Sequence, residues 1–222
     1  MKRPSSPLDS PRAPRRAGAV DRFDGWIAGL GTAAGLRAVV GCWPRSPLGA
    51  FADVMVERAD GHRLLLAPTD EVAGYVAGTY AFDEVRVVPF DVAVRGADWR
   101  VDAGPLALSF TAGRRPLVGV VLRLVPRGLA TRIPWVRAVG PVARLALPGV
   151  RTSGTAGGGR REFYAALDLR RIAGGEVRWE GADQGPVAPV DPPVRFGFGS
   201  TPARPSLVRI VTLVRHGERP GR

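Results

Sequence analysis

Lysine is almost missing from this sequence: Lys2 is the only one among 32 basic residues. A folded domain without lysine has no Schiff-base nucleophile, no anchor for pyridoxal phosphate and no P-loop lysine. Cysteine is as scarce, since Cys42 stands alone. No intramolecular disulfide can form, which argues against a stapled secreted scaffold and for a reduced, cytoplasmic setting. With His62 and His216 as the only histidines and no cysteine pair, a zinc site is not expected. No G-x-S-x-G elbow occurs, and Cys42, beside Trp43 and Pro44, has no evident histidine partner. The longest apolar runs, Leu117–Leu122 and Leu145–Val150, fall far short of a bilayer, and the first residues lack an apolar h-region, so no transmembrane anchor is expected. These absences nominate no cofactor, no metal and no catalytic residue.

Acidic residues are missing from one long stretch. Between Ala103 and Arg161 there is no Asp or Glu but there are ten arginines, while residues 1–20 carry five basic residues against Asp9. The net charge of +12 therefore belongs to these two segments, and the remainder is slightly acidic. An anionic partner would meet residues 103–161 rather than the surface at large. The preference for arginine over lysine matches the codon usage of a high-GC genome and is not by itself a sign of bidentate recognition.

What is present suits one β-rich domain. The chain has 222 residues, 45% of them apolar, enough for one substantial core. Its 29 glycines and 21 prolines follow no repeat and cut it into short elements. The expected class is α+β, β-rich, an antiparallel barrel or sandwich spanning 21–214 with a helical basic insertion at about 115–148. Residues 1–20, with four prolines among Ser and Arg, read as a disordered basic tail, and 215–222 as a flexible C-terminal tail. Trp26 to Val40 reads as strand, Gly-rich turn, strand. Phe51–Arg58 and His62–Ala67 flank Ala59-Asp60-Gly61, a strong hairpin signal. Thr69 before Asp70 and Glu71 predicts a capped helix over about 69–80. Glu84–Val94, Asp98–Ala103 and Leu106–Thr111 read as an antiparallel meander, and Arg161–Arg171, Glu176–Glu180 and Ser206–Val214 as a last β region. Trp135, Val139, Val142 and Ala146 share one helical face with Arg137 and Arg144 opposite, while Leu117–Val125 is ambiguous between helix and strand.

Several motifs fail on context. Gly29-Leu30-Gly31-Thr32-Ala33-Ala34 fits a dinucleotide turn but has a poor strand before it and a poor helix after it. Gly154–Arg161 could cradle an anion with backbone N–H groups and two guanidiniums, or serve as a plain hairpin loop. Asp53, Glu57, Asp60 and His62 resemble metal ligands, yet on alternating strands they would not converge and read as a solvated hairpin edge. Arg215-His216-Gly217 resembles the histidine phosphatase signature, but that motif follows the first strand of an α/β domain and needs a second histidine, here His62 in a hairpin.

At Ser46-Pro47-Leu48-Gly49-Ala50-Phe51-Ala52-Asp53-Val54 the chain resembles the Pro/Gly turn and strand of the acetoacetate decarboxylase-like β-barrel proteins, and as a whole it resembles conserved proteins of high-GC bacteria. The resemblance implies a barrel with an internal pocket. It does not carry over the family's Schiff-base chemistry, because no residue matches that lysine. Two readings follow. In the first, a small anionic or amphipathic molecule is bound in a β-barrel pocket, non-catalytically or by lysine-independent means, met by Arg161, Tyr164, Arg195, Phe196, Phe198 and Arg204, the Phe/Gly loop walling the pocket. In the second, Arg123, Arg127, Trp135, Arg137 and Arg144 hold the protein to an anionic lipid surface. The scarcity of aromatics among these arginines argues against nucleic acid, and nothing in the sequence sets an oligomeric state.

Overall fold

The computed structural model describes residues 18–146, 152–155, 157–197 and 201–216. The expected tails lie almost wholly outside these residues, and strand pairing reaches Val20 opposite Arg215 at their inner edges.

Turn chemistry sets the first half. β1 (Val20–Thr32) and β2 (Arg37–Arg45) are antiparallel, β1 running on through Gly31 to Thr32 before the expected turn, which Gly35 makes at φ +84. β3 (Phe51–Glu57) and β4 (Arg63–Ala67) form the hairpin at Asp60-Gly61, where Gly61 takes φ +85. α1 (Asp70–Ala77) follows, with the Thr69 hydroxyl accepting from the Val72 N–H at 3.3 Å. The crossover through α1 lays β5 (Glu84–Val87) parallel to β4. The run Glu84–Val94 is therefore divided at Val88-Pro89, and the antiparallel meander comprises only β6 (Phe90–Arg95), β7 (Asp98–Ala103) and β8 (Leu106–Ala112).

Between β8 and the last strands come α2 (Leu117–Leu124), α3 (Arg127–Ala130), α4 (Ile133–Ala146) and the short β9 (Ser153–Thr155). Gly119 explains why the ambiguous run packs as a helix: it lies on the Leu169 backbone so closely that a Cβ would overlap the Leu169 carbonyl. α4 turns Ile133, Val136 and Gly140 toward the sheet, and Trp135 and Val139 are half-buried beside that row.

β10 (Arg161–Trp179), expected as two strands, is one 19-residue strand. Register shifts at Ala166–Asp168 and Ile172–Gly174 bend it, so its first half pairs with β13 (Ser206–Arg215) and its second with β8. The strand order is β5-β4-β3-β2-β1-β13-β10-β8-β7-β6, with β9 and β11 (Ala182–Asp183) on β10 and β12 (Val187–Ala188) on β1. The product is a strand-rich, curled, mixed half-barrel carrying a few helices.

Both faces of the central strands are covered, which is why they read as near-continuous apolar runs. On β3, Val54 and Val56 enter the main core with Leu64, Leu66, Trp99, Val101 and Phe110, which leaves Phe51, Asp53 and Met55 for the other face. On β10, Phe163 and Ala165 pack under α3 and α4 against Val136, Val211 and Leu213, while Tyr164 turns to Phe23, Trp43 and Ile210. That second aromatic cluster walls a cavity.

Candidate ligand cavity

The cavity, about 80 Å³, lies between one face of the curled sheet, α1 and the loop through Phe196. Phe23 and Ile27 of β1, Val39 and Trp43 of β2, Phe51 and Met55 of β3 and Val76 of α1 supply apolar walls. Asp53, Glu162 and the hydroxyl-bearing Tyr75, Tyr80, Tyr164 and Thr212 supply the polar points. Among the described residues no arginine lines it.

Strand alternation places the two carboxyls. Asp53 points to the same side as Phe51 and Met55, and its Oδ1 accepts from the Trp43 indole N–H at 2.9 Å. Gly41 makes room for that bond, since a Cβ there would overlap Asp53 Oδ1. Burial pushes the Asp53 carboxyl up to about 7, and the indole hydrogen bond only partly opposes it. Glu162, two residues before Tyr164 on β10, accepts at Oε2 from the hydroxyls of Tyr80 and Tyr164, each at 2.8 Å. The two hydroxyls are themselves 2.5 Å apart. Burial raises the Glu162 carboxyl above its ordinary range despite these bonds and the nearby charge of Arg160. Burial first, then the neighbouring Tyr164 and Glu162, pushes the Tyr80 hydroxyl well up, so it stays a neutral donor. Thr212 is 5% exposed on this wall, and its buried hydroxyl has no hydrogen-bond partner among the described residues. Cys42, at the edge of the same strand region, has its thiol pushed up by burial and by Asp53, the opposite of an activated nucleophile.

The residues expected to meet a ligand divide. Tyr164 and Phe196 line the cavity. Phe198 lies outside the described residues. Arg195 does not line the cavity: its Nε donates to Oε1 of fully buried Glu57 at 2.8 Å and its backbone N–H to Oε2 at 2.7 Å, an anchorage that seats the Phe196 loop on β3. Arg161 and Arg204 are exposed and not among the lining residues. Of the three arginines expected around a ligand, Arg195 is drawn to the buried Glu57 carboxylate, while Arg161 and Arg204 are exposed outside a cavity whose described lining carries two acids. Asp53 and Glu57 correct a second expectation: they are buried strand residues, not a solvated hairpin edge, and among the described residues no group of acids, histidines or cysteines could hold a metal. The Gly-rich loop docks on α1, with the Gly157 N–H donating to Thr79 O at 3.0 Å and Arg160 Nη1 to Tyr75 O at 3.0 Å and Thr79 Oγ1 at 2.7 Å. Asp53 had a legible signal, an acid within a strand apolar on both faces; Tyr80 and Thr212 had none.

The basic segment is less bare than its acid-free sequence suggests. Arg115 Nε reaches Asp168 Oδ1 at 2.8 Å, and Arg123 stands 3.9 Å from Oδ2 of the same residue. Arg127 reaches Asp24 at 3.2 Å, and Arg137 lies over the Phe163 ring at 5.2 Å. Trp135 is half-buried, and the Arg144 side chain lies outside the described residues. His216 contacts Asp21 at 2.8 Å and His62 contacts Glu84 at 3.2 Å, each histidine against its own carboxylate.

No protein-family model matches the chain, and no curated protein matches it. Among solved structures it is similar to the acetoacetate decarboxylase of Legionella pneumophila subsp. pneumophila str. Philadelphia 1, at 10% identity, 97% coverage of each chain and a TM-score of 0.43. It is also similar to a second acetoacetate decarboxylase structure, at 11% identity over 96% of this chain and 93% of that one, with a TM-score of 0.41. These belong to the family that Ser46–Val54 resembles. A likeness at this level is silent on ligand and reaction, which the cavity's own residues must decide. Among the described residues no helix is long and apolar enough to cross a membrane.

Proposed function

We propose that the protein binds a small amphipathic amine in the half-barrel cavity. The carrying observation is the pairing of two buried carboxyls, Asp53 and Glu162, with aromatic walls and, among the described residues, no lining guanidinium. An anionic head would face two acids and lose its hydration uncompensated. An ammonium would gain Asp53 as counter-ion, the faces of Trp43, Phe23 and Tyr75 for cation–π attraction, and the Thr212 hydroxyl as acceptor. Since one water-sized sphere occupies roughly 10–15 Å³, about 80 Å³ holds a chain on the order of six non-hydrogen atoms.

Calorimetric titration with n-butylamine, n-butanol and butyrate tests this. Butylamine should saturate one site and butyrate should give no heat of binding; butyrate binding as tightly as butylamine would sink the reading. Asp53→Asn should weaken butylamine by about 10- to 100-fold, the range of a charged hydrogen bond. Because ionised Asp53 is the form that pairs with the ammonium, affinity should rise as pH increases through about 7.

A second reading, peripheral association with an anionic membrane surface through residues 103–161, is favoured by one observation. Leu117, Val120, Val121 and Leu124 of α2 and Leu129 of α3 are exposed beside Arg123 and Arg127. Co-sedimentation with anionic vesicles that weakens as salt rises is the expected result; its absence at low salt counts against the reading.

A further inference from the structure

Asp24 of β1 is buried on the face opposite the cavity, and four guanidiniums gather around it. Arg209 of β13 donates to Oδ1 and also holds the carbonyls of Gly25 and Ile210 at 2.6 and 3.0 Å, which makes it the structural partner. Arg127 of α3 reaches Oδ2 at 3.2 Å. Arg22 and Arg45 stand at 3.6 and 3.9 Å, beyond hydrogen-bond range, held by charge alone. Burial works to raise the Asp24 carboxyl, but the bond from Arg209 and the charges of Arg209, Arg127 and Arg45 outweigh it and keep the group ionised below its ordinary range.

Among the described residues, four cations against one carboxylate leave three positive charges in excess. Arg22, Arg45 and Arg127 are 48%, 74% and 59% exposed, and with Asp24, Ser46 and Pro47 they line an open depression. A group that brings several negative oxygens would relieve their mutual repulsion and accept their unused N–H donors, and phosphate oxygens match the guanidinium fork. Arg127 also joins the depression to the apolar flank, because it opens α3 three residues after Leu124. Leu117 and Leu124 are 79% and 76% exposed, far more than helical leucines packed on a core. Apolar side chains flanked by arginines that outnumber the carboxylates facing them are the composition of an interfacial element.

We propose that Arg22, Arg45 and Arg127 above Asp24 form a binding site for the phosphate of an anionic phospholipid head group, with α2 seated at the acyl boundary beside it. The site rests on the membrane reading for the source of its phosphate. Two of its three arginines, Arg22 and Arg45, lie outside the acid-free segment, so only the folded chain assembles it.

The full chain is tested by co-sedimentation with phosphatidylcholine vesicles with and without phosphatidic acid, and by calorimetric titration with glycerol phosphate. Two variants accompany it: Arg45→Gln/Arg127→Gln, and Leu117→Ser/Leu124→Ser. All four side chains are exposed, and matching thermal unfolding checks that the fold is intact. Binding should require phosphatidic acid. Each arginine near an anionic surface contributes about fivefold, so the arginine variant should bind roughly 25-fold more weakly. The leucine variant should also lose vesicle binding while leaving glycerol phosphate binding unchanged. If the arginine variant binds vesicles like the parent while the leucine variant does not, the head-group site is overturned and the membrane reading stands. Charge-dependent binding of glycerol phosphate without vesicle binding overturns the lipid source and the membrane reading together. Binding to neither probe overturns both.

Discussion

Asp24 and Asp53 lie two strands apart in one sheet, both nearly buried, and their carboxyls move in opposite directions. Asp53 faces the cavity with a single indole donor, and burial lifts it to about 7. Asp24 faces the helical flank, where Arg209, Arg127 and Arg45 hold it below the ordinary range against the same pull of burial. Burial by itself thus settles neither charge state. The side of the strand decides it, because one side meets aromatic rings and the other meets guanidiniums.

Substitutions that remove each charge should separate the two sides most. Asp24→Asn should destabilise the protein by about 3–5 kcal/mol in urea unfolding, since it leaves the cations around it without their counter-ion. Asp53→Asn should act with the opposite sign at pH 8. An acid whose folded pKa is raised holds its proton longer than the unfolded chain does, so stability is lost as pH climbs from about 4 to about 7 and stays low above that. The substitution should therefore raise stability by a few kcal/mol at pH 8 and flatten that slope, with a shallower residue left by Glu162. A destabilised Asp53→Asn protein at pH 8 would break the comparison. Next in size, Gly41→Ala should cost about 1–3 kcal/mol and disturb the Trp43–Asp53 bond, visible as altered near-ultraviolet circular dichroism. The smallest effect belongs to Thr212→Val, which removes a buried hydroxyl without a described partner: stability should hold or rise by less than about 1 kcal/mol while butylamine binding weakens.

Local signals were legible where the physics is local. The Asp60-Gly61 turn and the Thr69 cap were placed within a residue or so, because positive φ and an unsatisfied helix N–H need only their neighbours. The reading failed where pairing is distant. Gly174 and Gly175 look like a break, yet β10 passes through them by changing partner from β13 to β8. Glu84–Val94 looks like one strand, yet its first residues pair with β4 through the α1 crossover. Of the cavity, Tyr164 and Phe196 were legible as aromatics in β and Gly-rich settings, while Glu162 and Tyr80 meet only because α1 is fastened to the start of β10 by Arg160.

The sequence alone determined that Lys2 is the one lysine, that the chain is β-rich, and that positive charge gathers in residues 1–20 and 103–161. The tertiary structure alone decided which acids meet those charges. Asp168 and Asp24 come from the slightly acidic remainder to partner arginines of the segment, while Asp53 and Glu162 line one cavity, Asp53 held by the Trp43 indole and Glu162 by two tyrosine hydroxyls near the charge of Arg160. The reason is geometric. Strand alternation specifies that neighbours in sequence point apart, but which side faces arginine and which faces tryptophan depends on pairings between opposite ends of the chain, such as Val20 with Arg215.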